Sequence, residues 1–95
     1  MSVFDNLIIL NCARKHGLSD EDIKKALCRE PNPIAARRRN FDIPSHIAVA
    51  GYDTHNRCIE ILLAEQEDGA FVVYHAMKLT PKMARELQIE NHLRR

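Results

Sequence analysis

The spacing of apolar residues changes near residue 34, and this change determines what the chain can fold into. Up to residue 27, apolar side chains recur at the three- and four-residue spacing of a helix. From residue 34 to residue 77 they mostly recur at every second position, which is typical of strands. After that stretch, Thr80 suits a helix N-cap and Pro81 the first helical position. We therefore predict an α+β fold of two N-terminal helices, a four-stranded antiparallel sheet and a C-terminal helix.

The two N-terminal helices are predicted from spacing and from end signals. Phe4, Leu7 and Ile8 have helical spacing within residues 3–16, although the run 7–10 also suits a short buried strand. A glycine at residue 17, after a basic triplet, is a helix stop signal. Ser19 then suits an N-cap, because the acidic residues that follow it are favoured in a first helical turn.

Four strands are predicted at residues 34–39, 46–52, 58–64 and 71–77, and a hairpin signal, Glu67-Asp68-Gly69, precedes the last one. Pairing Val49 with Ile61, and Leu63 with Val73, places the bulky apolar residues on one face beneath the helices. We expect the other face to be a shallow open surface with small residues in its middle. Its predicted members are His46, Ala48, Ala50, Tyr52, Glu60, Leu62, Tyr74, Ala76 and Lys78.

Length and composition restrict the class of protein. The 95 residues suit one domain over residues 1–95, with a frayed tail from about residue 90. The fractions of 45% hydrophobic and 28% charged residues indicate a globular chain, and no apolar run has membrane-spanning length. Residues 1–10 lack the basic start of a signal peptide, so we expect a cytoplasmic protein. The three cysteines form no CxxC pair, which favours buried thiols.

Basic residues are grouped although the net charge is only +1. Arg37, Arg38 and Arg39 are consecutive, and Arg57 directly precedes the predicted strand at residues 58–64. Separated basic patches can bind polyanions even when the whole molecule is nearly neutral. The arginine run equally suits an edge strand that charge protects from aggregation, and both interpretations stay open.

Several of these segments resemble the BrnT branch of the RelE superfamily of toxin ribonucleases. The run Lys15-His16-Gly17-Leu18-Ser19 is similar to that family's Lys-His-Gly-Val-Ser opening of a helix. The resemblance covers most of residues 4–87. The further segments that carry it are Phe4-Asp5, Glu21-Asp22, Ala26-Leu27, Pro31, Ala50-Gly51, Asn56-Arg57, and Val72-Val73-Tyr74-His75-Ala76-Met77 followed by Thr80.

The resemblance implies a RelE-like fold and the toxin component of a toxin–antitoxin pair, acting on RNA as a metal-independent endoribonuclease. The implied partners are an antitoxin protein and RNA, with no membrane, cofactor or metal. The apolar run 7–10 also offers a surface for a homodimer. His75 and Met77 stand where the family usually has Ser and Arg, and a lost Arg weakens phosphate stabilisation. The alternative is therefore a catalytically inactive relative that serves as a protein-binding or regulatory module.

RNA cleavage without a metal uses the ribose 2′-OH as nucleophile, and it needs a base, an acid and cations around the phosphate. The predicted catalytic residues, which strand parity places on the open face, are His46, Tyr74, Lys78 and Tyr52. The predicted RNA-binding residues are Arg37, Arg39 and Arg57.

Two other interpretations of the histidines remain. His75 suits a hydrogen-bonded core histidine as well as a catalytic one. A zinc site built from His46, His55, Cys58 and His75 has close ligand spacing only across one turn, so we predict no metal.

Overall fold

The computed structural model, which describes residues 6–39 and 46–94, contains one mixed sheet of five strands. The strands are β1 (Leu7–Ile9), β2 (Ala35–Arg38), β3 (His46–Tyr52), β4 (Cys58–Glu65) and β5 (Phe71–Lys78). The helices are α1 (Asp20–Cys28) and α2 (Pro81–Leu87), and two 3₁₀ helices span Asn11–Arg14 and Glu90–Arg94. The spatial order is β1-β5-β4-β3-β2, with β1 parallel to β5 and every other pair antiparallel.

The predicted first helix over residues 3–16 is wrong. Its described part forms strand β1 and a 3₁₀ helix, while residues 3–5 lie outside the described residues. Leu7 lies opposite Phe71, and Leu10 N donates a hydrogen bond to the Val73 carbonyl. Because these partners are about sixty residues away, local spacing cannot reveal them. The predicted RelE-like fold, with two N-terminal helices and four antiparallel strands, is therefore wrong. The sheet has a fifth strand, β1, which is parallel to β5 and takes the place of the first helix.

Helix α1 begins as predicted at Ser19. The Ser19 hydroxyl accepts a hydrogen bond from Asp22 N, and the Asp22 carboxylate accepts one from Ser19 N, which completes a capping box. The apolar side of α1 carries the fully buried Ile23 and Leu27. These side chains pack against one face of the sheet, in a cluster that also contains Ile61.

The centre of the sheet has the predicted register. Val49 lies opposite Ile61, and Leu63 lies opposite Val73. The next pair on β5 is irregular, because His75 lies opposite Leu62 and leaves Tyr74 as an extra residue without a partner position on β4. This β-bulge shifts the alternation of side chains along the rest of β5.

The shift makes the predicted facing of two residues wrong. Ala76 lies opposite Ile61 and is buried in the cluster beneath α1. Lys78, two residues further along β5, lies opposite Ile59 and belongs to the same face of the sheet. The open-face prediction placed both on the other side. Strand alternation has a period of two, so one extra residue exchanges the faces of everything beyond it.

The face predicted to be open is covered in its middle by α2. Met83, Ala84 and Leu87 of α2 form a second buried cluster with Ala48 and Ala50 of β3. Small side chains on the sheet let the helix approach closely. What remains accessible on this face is its margin beside α2. Within the described ranges, no helix has both the length and the apolar character required to cross a membrane.

Candidate active site beside the second helix

Two histidines with hydrogen-bonded partners lie beside α2 on one face of the sheet. His46 Nδ1 shares a hydrogen bond of 3.1 Å with the Tyr74 hydroxyl. His75 Nε2 lies 3.1 Å from a carboxylate oxygen of Glu60. Consecutive residues of a regular strand point to opposite faces, so Tyr74 and His75 share one face only because Tyr74 is the extra residue of the bulge.

Glu60 fixes both His75 and the start of α2. Its side chain is only 4% exposed, although it carries a carboxylate. One carboxylate oxygen accepts hydrogen bonds from Thr80 N at 2.9 Å and from Thr80 Oγ1 at 2.7 Å. The other oxygen faces His75, and since a carboxylate without a proton can only accept, His75 Nε2–H is the donor. His75 Nδ1 is then the ring nitrogen left for other chemistry.

Arg39 lies next to the His46–Tyr74 pair. Its backbone N–H donates to the His46 carbonyl at 2.8 Å. Burial raises the pKa of the Tyr74 hydroxyl above its ordinary value, and the positive charge of Arg39 partly offsets that rise. The Arg39 guanidinium is paired with Glu86, with Nε to Oε2 at 2.9 Å. Because its pKa is raised, Tyr74 is a neutral hydroxyl near neutral pH.

Two hollows lie beside α2 and share Arg39 and Glu86 as lining residues. The first is a groove of about 180 Å³ between β4 and α2. Its lining residues are Arg39, Glu60, Leu62, Thr80, Lys82, Met83 and Glu86. The second has a volume of about 260 Å³ and is lined by Arg37, Arg38, Arg39 and Glu86. The two hollows therefore form a polar margin along α2 that is lined by cations, and Glu60, which contacts His75, lines the first of them.

The structure brings together only part of the residues predicted for the site. His46 and Tyr74 are in contact, and Arg39 and Arg37 lie beside them. Arg37 donates to the Glu86 carbonyl oxygen at 3.1 Å. These four residues form one group, to which the structure adds His75 and Glu60.

Tyr52, Arg57 and Lys78 form a separate group at the other end of the sheet. His46 and Tyr52 are the two ends of β3, a separation of roughly 20 Å at strand rise. The Tyr52 hydroxyl bonds His92 Nδ1 at 2.6 Å, and the Arg57 guanidinium bonds Asp53 at 2.8 Å. A catalytic set that needs Lys78 beside His46 is therefore not assembled.

A metal site finds little support in the part of the chain that is described. Its single cluster of possible ligands is Asp22, Asp53 and His55, with ligand atoms within 4.8 Å of one another. Asp22 is already bonded to Ser19 and Thr54, and Asp53 to backbone N–H groups and Arg57. These carboxylates hold a turn together.

The same hydrogen bonds explain the acidity of Asp22. Burial disfavours its charged form, but the bonds from Thr54 and Ser19 outweigh burial and lower its pKa to about 2. One of these, between the Thr54 hydroxyl and Asp22, is very short.

Sequence reasoning missed the importance of Glu60. A signal was present, because Glu60 is the only charged residue within the apolar run at 58–64. A glutamate in the interior of a core strand requires polar partners, since an unpaired buried charge is very costly. Its partners are His75, on the neighbouring strand β5, and Thr80, which follows β5 and caps α2.

These features define the class of protein: an α+β chain with a mixed five-stranded sheet and a polar histidine site at the margin of its second helix. Comparison with protein-family models, with curated proteins and with solved structures finds no match to this chain. Function is therefore inferred from the chemistry of its own residues.

Proposed function

We propose that this chain is a metal-independent endoribonuclease and the toxin component of a cytoplasmic toxin–antitoxin pair. The observation that carries the proposal is the bulge at Tyr74, because it presents Tyr74 and His75 on the face that holds His46. Two imidazoles, each positioned by a hydrogen-bonded partner, supply a base and an acid near neutral pH. The BrnT-like segments of the sequence support the same activity.

The reaction needs no group beyond the RNA and these side chains. One imidazole accepts the proton of the ribose 2′-OH as its oxygen bonds to phosphorus. The bond from phosphorus to the 5′ oxygen breaks, and the other imidazole donates a proton to that oxygen. The products are a 2′,3′-cyclic phosphate and a 5′-hydroxyl. His46 Nε2 and His75 Nδ1 are the nitrogens left for these roles.

Cations at the groove suit the charge that develops on the phosphate. Lys82 lines the groove, and no ion pair to it occurs among the described residues. Arg39 is held by Glu86, so an RNA phosphate would have to compete with that carboxylate. The three cysteines are free thiols, which suits a reducing cytoplasm.

The first experiment measures cleavage of single-stranded RNA by the purified chain in EDTA, with the product ends identified by mass spectrometry. We expect 2′,3′-cyclic phosphate ends. His46→Asn and His75→Asn should each slow cleavage by about 100-fold or more, because each removes one proton-transfer group. His55→Asn is the matched control, since His55 lies in an exposed turn away from α2, and it should cleave like the wild type.

The proposal fails if the wild-type chain leaves every RNA intact and its expression does not slow bacterial growth. It also fails if His46→Asn and His75→Asn cleave as fast as His55→Asn.

A second candidate function is a binding module without catalysis, and the pairing of its arginines favours it. The Glu86 carboxylate pairs with Arg39, so the charge of Arg39 is not free for RNA, and Arg37 is held by the Glu86 backbone carbonyl. This alternative predicts a stable complex with a partner protein and no cleavage. Substitution of His46 or His75 should then leave growth unchanged.

A further inference from the structure

We propose that a second pocket, at the Tyr52 end of the sheet, is a binding site for a single phosphate group. The pocket has a volume of about 100 Å³, which suits a small tetrahedral anion. Its lining residues are Arg57, Cys58, Lys78, Leu79, His92 and Leu93. Three of the six carry basic side chains and none carries a carboxylate.

The charge balance around the pocket is positive. Lys78 is exposed, and within the described residues its ammonium group has no hydrogen bond or ion pair. Arg57 uses Nε to bond Asp53, which leaves its terminal nitrogens for a ligand. The Asp53 carboxylate is fully buried, and its oxygens accept hydrogen bonds from His55 N and from Arg57. Burial and the Asp53 charge raise the pKa of the Cys58 thiol to about 11, so that charge does reach the pocket. Because Asp53 is paired with Arg57, the net positive charge of the pocket comes from Lys78.

His92 is held in place for the same ligand. Its Nδ1 lies 2.6 Å from the Tyr52 hydroxyl, so the second 3₁₀ helix is tied to the end of β3. The Nε2 atom is then the nitrogen available to donate to an anion. Cys58 and Leu79 are buried and give the pocket an apolar floor, where attraction between opposite charges is stronger than in water.

Two sources could supply the phosphate. One is the backbone of RNA, in which case this pocket extends the RNA contact from the His46 end of β3 to its Tyr52 end. That source rests on the proposed function. The other source is a small phosphorylated compound, and binding of such a compound is independent of the proposed function.

The experiment is a titration of the full chain with inorganic phosphate at constant ionic strength, followed by ¹H–¹⁵N NMR. We expect saturable shifts at Lys78, Leu79 and His92. Lys78→Ala should weaken phosphate affinity about tenfold, because it removes a charge-assisted hydrogen bond, and Lys78→Arg should largely restore it. Lys24→Ala, which removes an exposed lysine of α1, is the matched control and should bind phosphate like the wild type. Circular dichroism checks that the variants are folded.

A second arm measures anisotropy of a 2′-O-methyl RNA, which binds without being cleaved. Weaker RNA binding by Lys78→Ala assigns the pocket to the RNA backbone, and unchanged binding assigns it to a small phosphorylated compound. The proposal is overturned if phosphate gives no saturable shifts at the pocket, or if Lys24→Ala weakens binding as much as Lys78→Ala. Phosphate binding is measured without cleavage, so an absence of ribonuclease activity would leave this result standing.

Discussion

At the scale of single residues, Glu60 determines how His75 is presented. A buried carboxylate is tolerated only when hydrogen bonds replace its lost water, and Glu60 receives them from Thr80 and His75. The same contacts fix which nitrogen of the His75 ring carries the proton. Glu60 is therefore a positioning residue for the proposed reaction.

Glu60→Gln tests this role. The amide keeps the size of the side chain but offers a single accepting oxygen, so it cannot satisfy both Thr80 and His75. We expect unfolding free energy to fall by about 1–3 kcal/mol. The kcat for RNA cleavage should fall more than KM rises, because the histidine is no longer held in one ring orientation. Glu65→Gln, at the partly exposed end of β4, is the control and should change neither quantity much. Equal losses in both variants would contradict the role of Glu60.

Individual residues of the site were predictable to different degrees. His46 and Tyr74 were identified because both were assigned to the less apolar face, and they are in contact. Lys78 was placed with them by strict alternation, which the extra residue in β5 breaks. Alternation carries no signal for a bulge, so the faces predicted from the sequence are correct as far as Tyr74 and wrong from His75 onward.

At the scale of elements, α1 is joined to the turn between β3 and β4 through Asp22. Its carboxylate caps α1 at Ser19 and also accepts from the backbone N–H and hydroxyl of Thr54. Lys25 adds a bond from its ammonium group to the Asp53 carbonyl at 2.8 Å. The turn and the helix are therefore stabilised together.

Stability should depend on pH through Asp22. Its pKa is about 2 in the folded chain, below its ordinary value of 3.8, so its ionised form stabilises the fold above pH 4. That contribution is lost as the pH falls from about 4 to about 2. Asp22→Asn should lower unfolding free energy by about 2 kcal/mol at pH 7, and by much less near pH 2. Urea unfolding at several pH values measures the difference. A difference that does not change with pH would contradict this account.

The prediction of elements succeeded where local signals determine them. Ser19 and Thr80 cap their helices as predicted, because a cap depends on neighbouring residues. Strand β1 was predicted as a helix because Leu7 and Ile8 fit either period, and the choice is made by distant β5. Hydrogen bonds across such a sequence distance leave no local pattern.

At the scale of the whole molecule, a single close approach sets the distance between α1 and the sheet. Gly51 of β3 lies directly beneath Ala26 of α1. A Cβ atom at Gly51 would overlap the Ala26 carbonyl oxygen and lie 2.9 Å from its carbonyl carbon. Backbone atoms cannot move aside as a flexible side chain does, so glycine is required here for contact.

Gly51→Ala should therefore separate the helix from the sheet. We expect a loss of about 2 kcal/mol or more in unfolding free energy, as for other overpacked cores. Ala36→Val is the control, since it adds methyl groups at an exposed position of β2, and it should change stability by less than about 0.5 kcal/mol. Denaturant unfolding compares the two. Unchanged stability in Gly51→Ala would show that α1 can shift at little cost.

The arrangement of layers was only half predictable. The α1-side core followed from the bulky alternating residues, including Val49 and Ile61. Ala48 and Ala50 were interpreted as an open surface, but the same small side chains equally suit a face on which a helix packs. Composition of a strand face does not distinguish these two cases.

The bulge at Tyr74 also bears on how such a site could arise. Val73 pairs with Leu63 and His75 with Leu62, so the ladder would be regular if Tyr74 were simply left out. Tyr74 thus behaves as a one-codon insertion into an otherwise uninterrupted hairpin. The scaffold can acquire or discard the phenol that contacts His46 while every other pairing between these two strands stays in place.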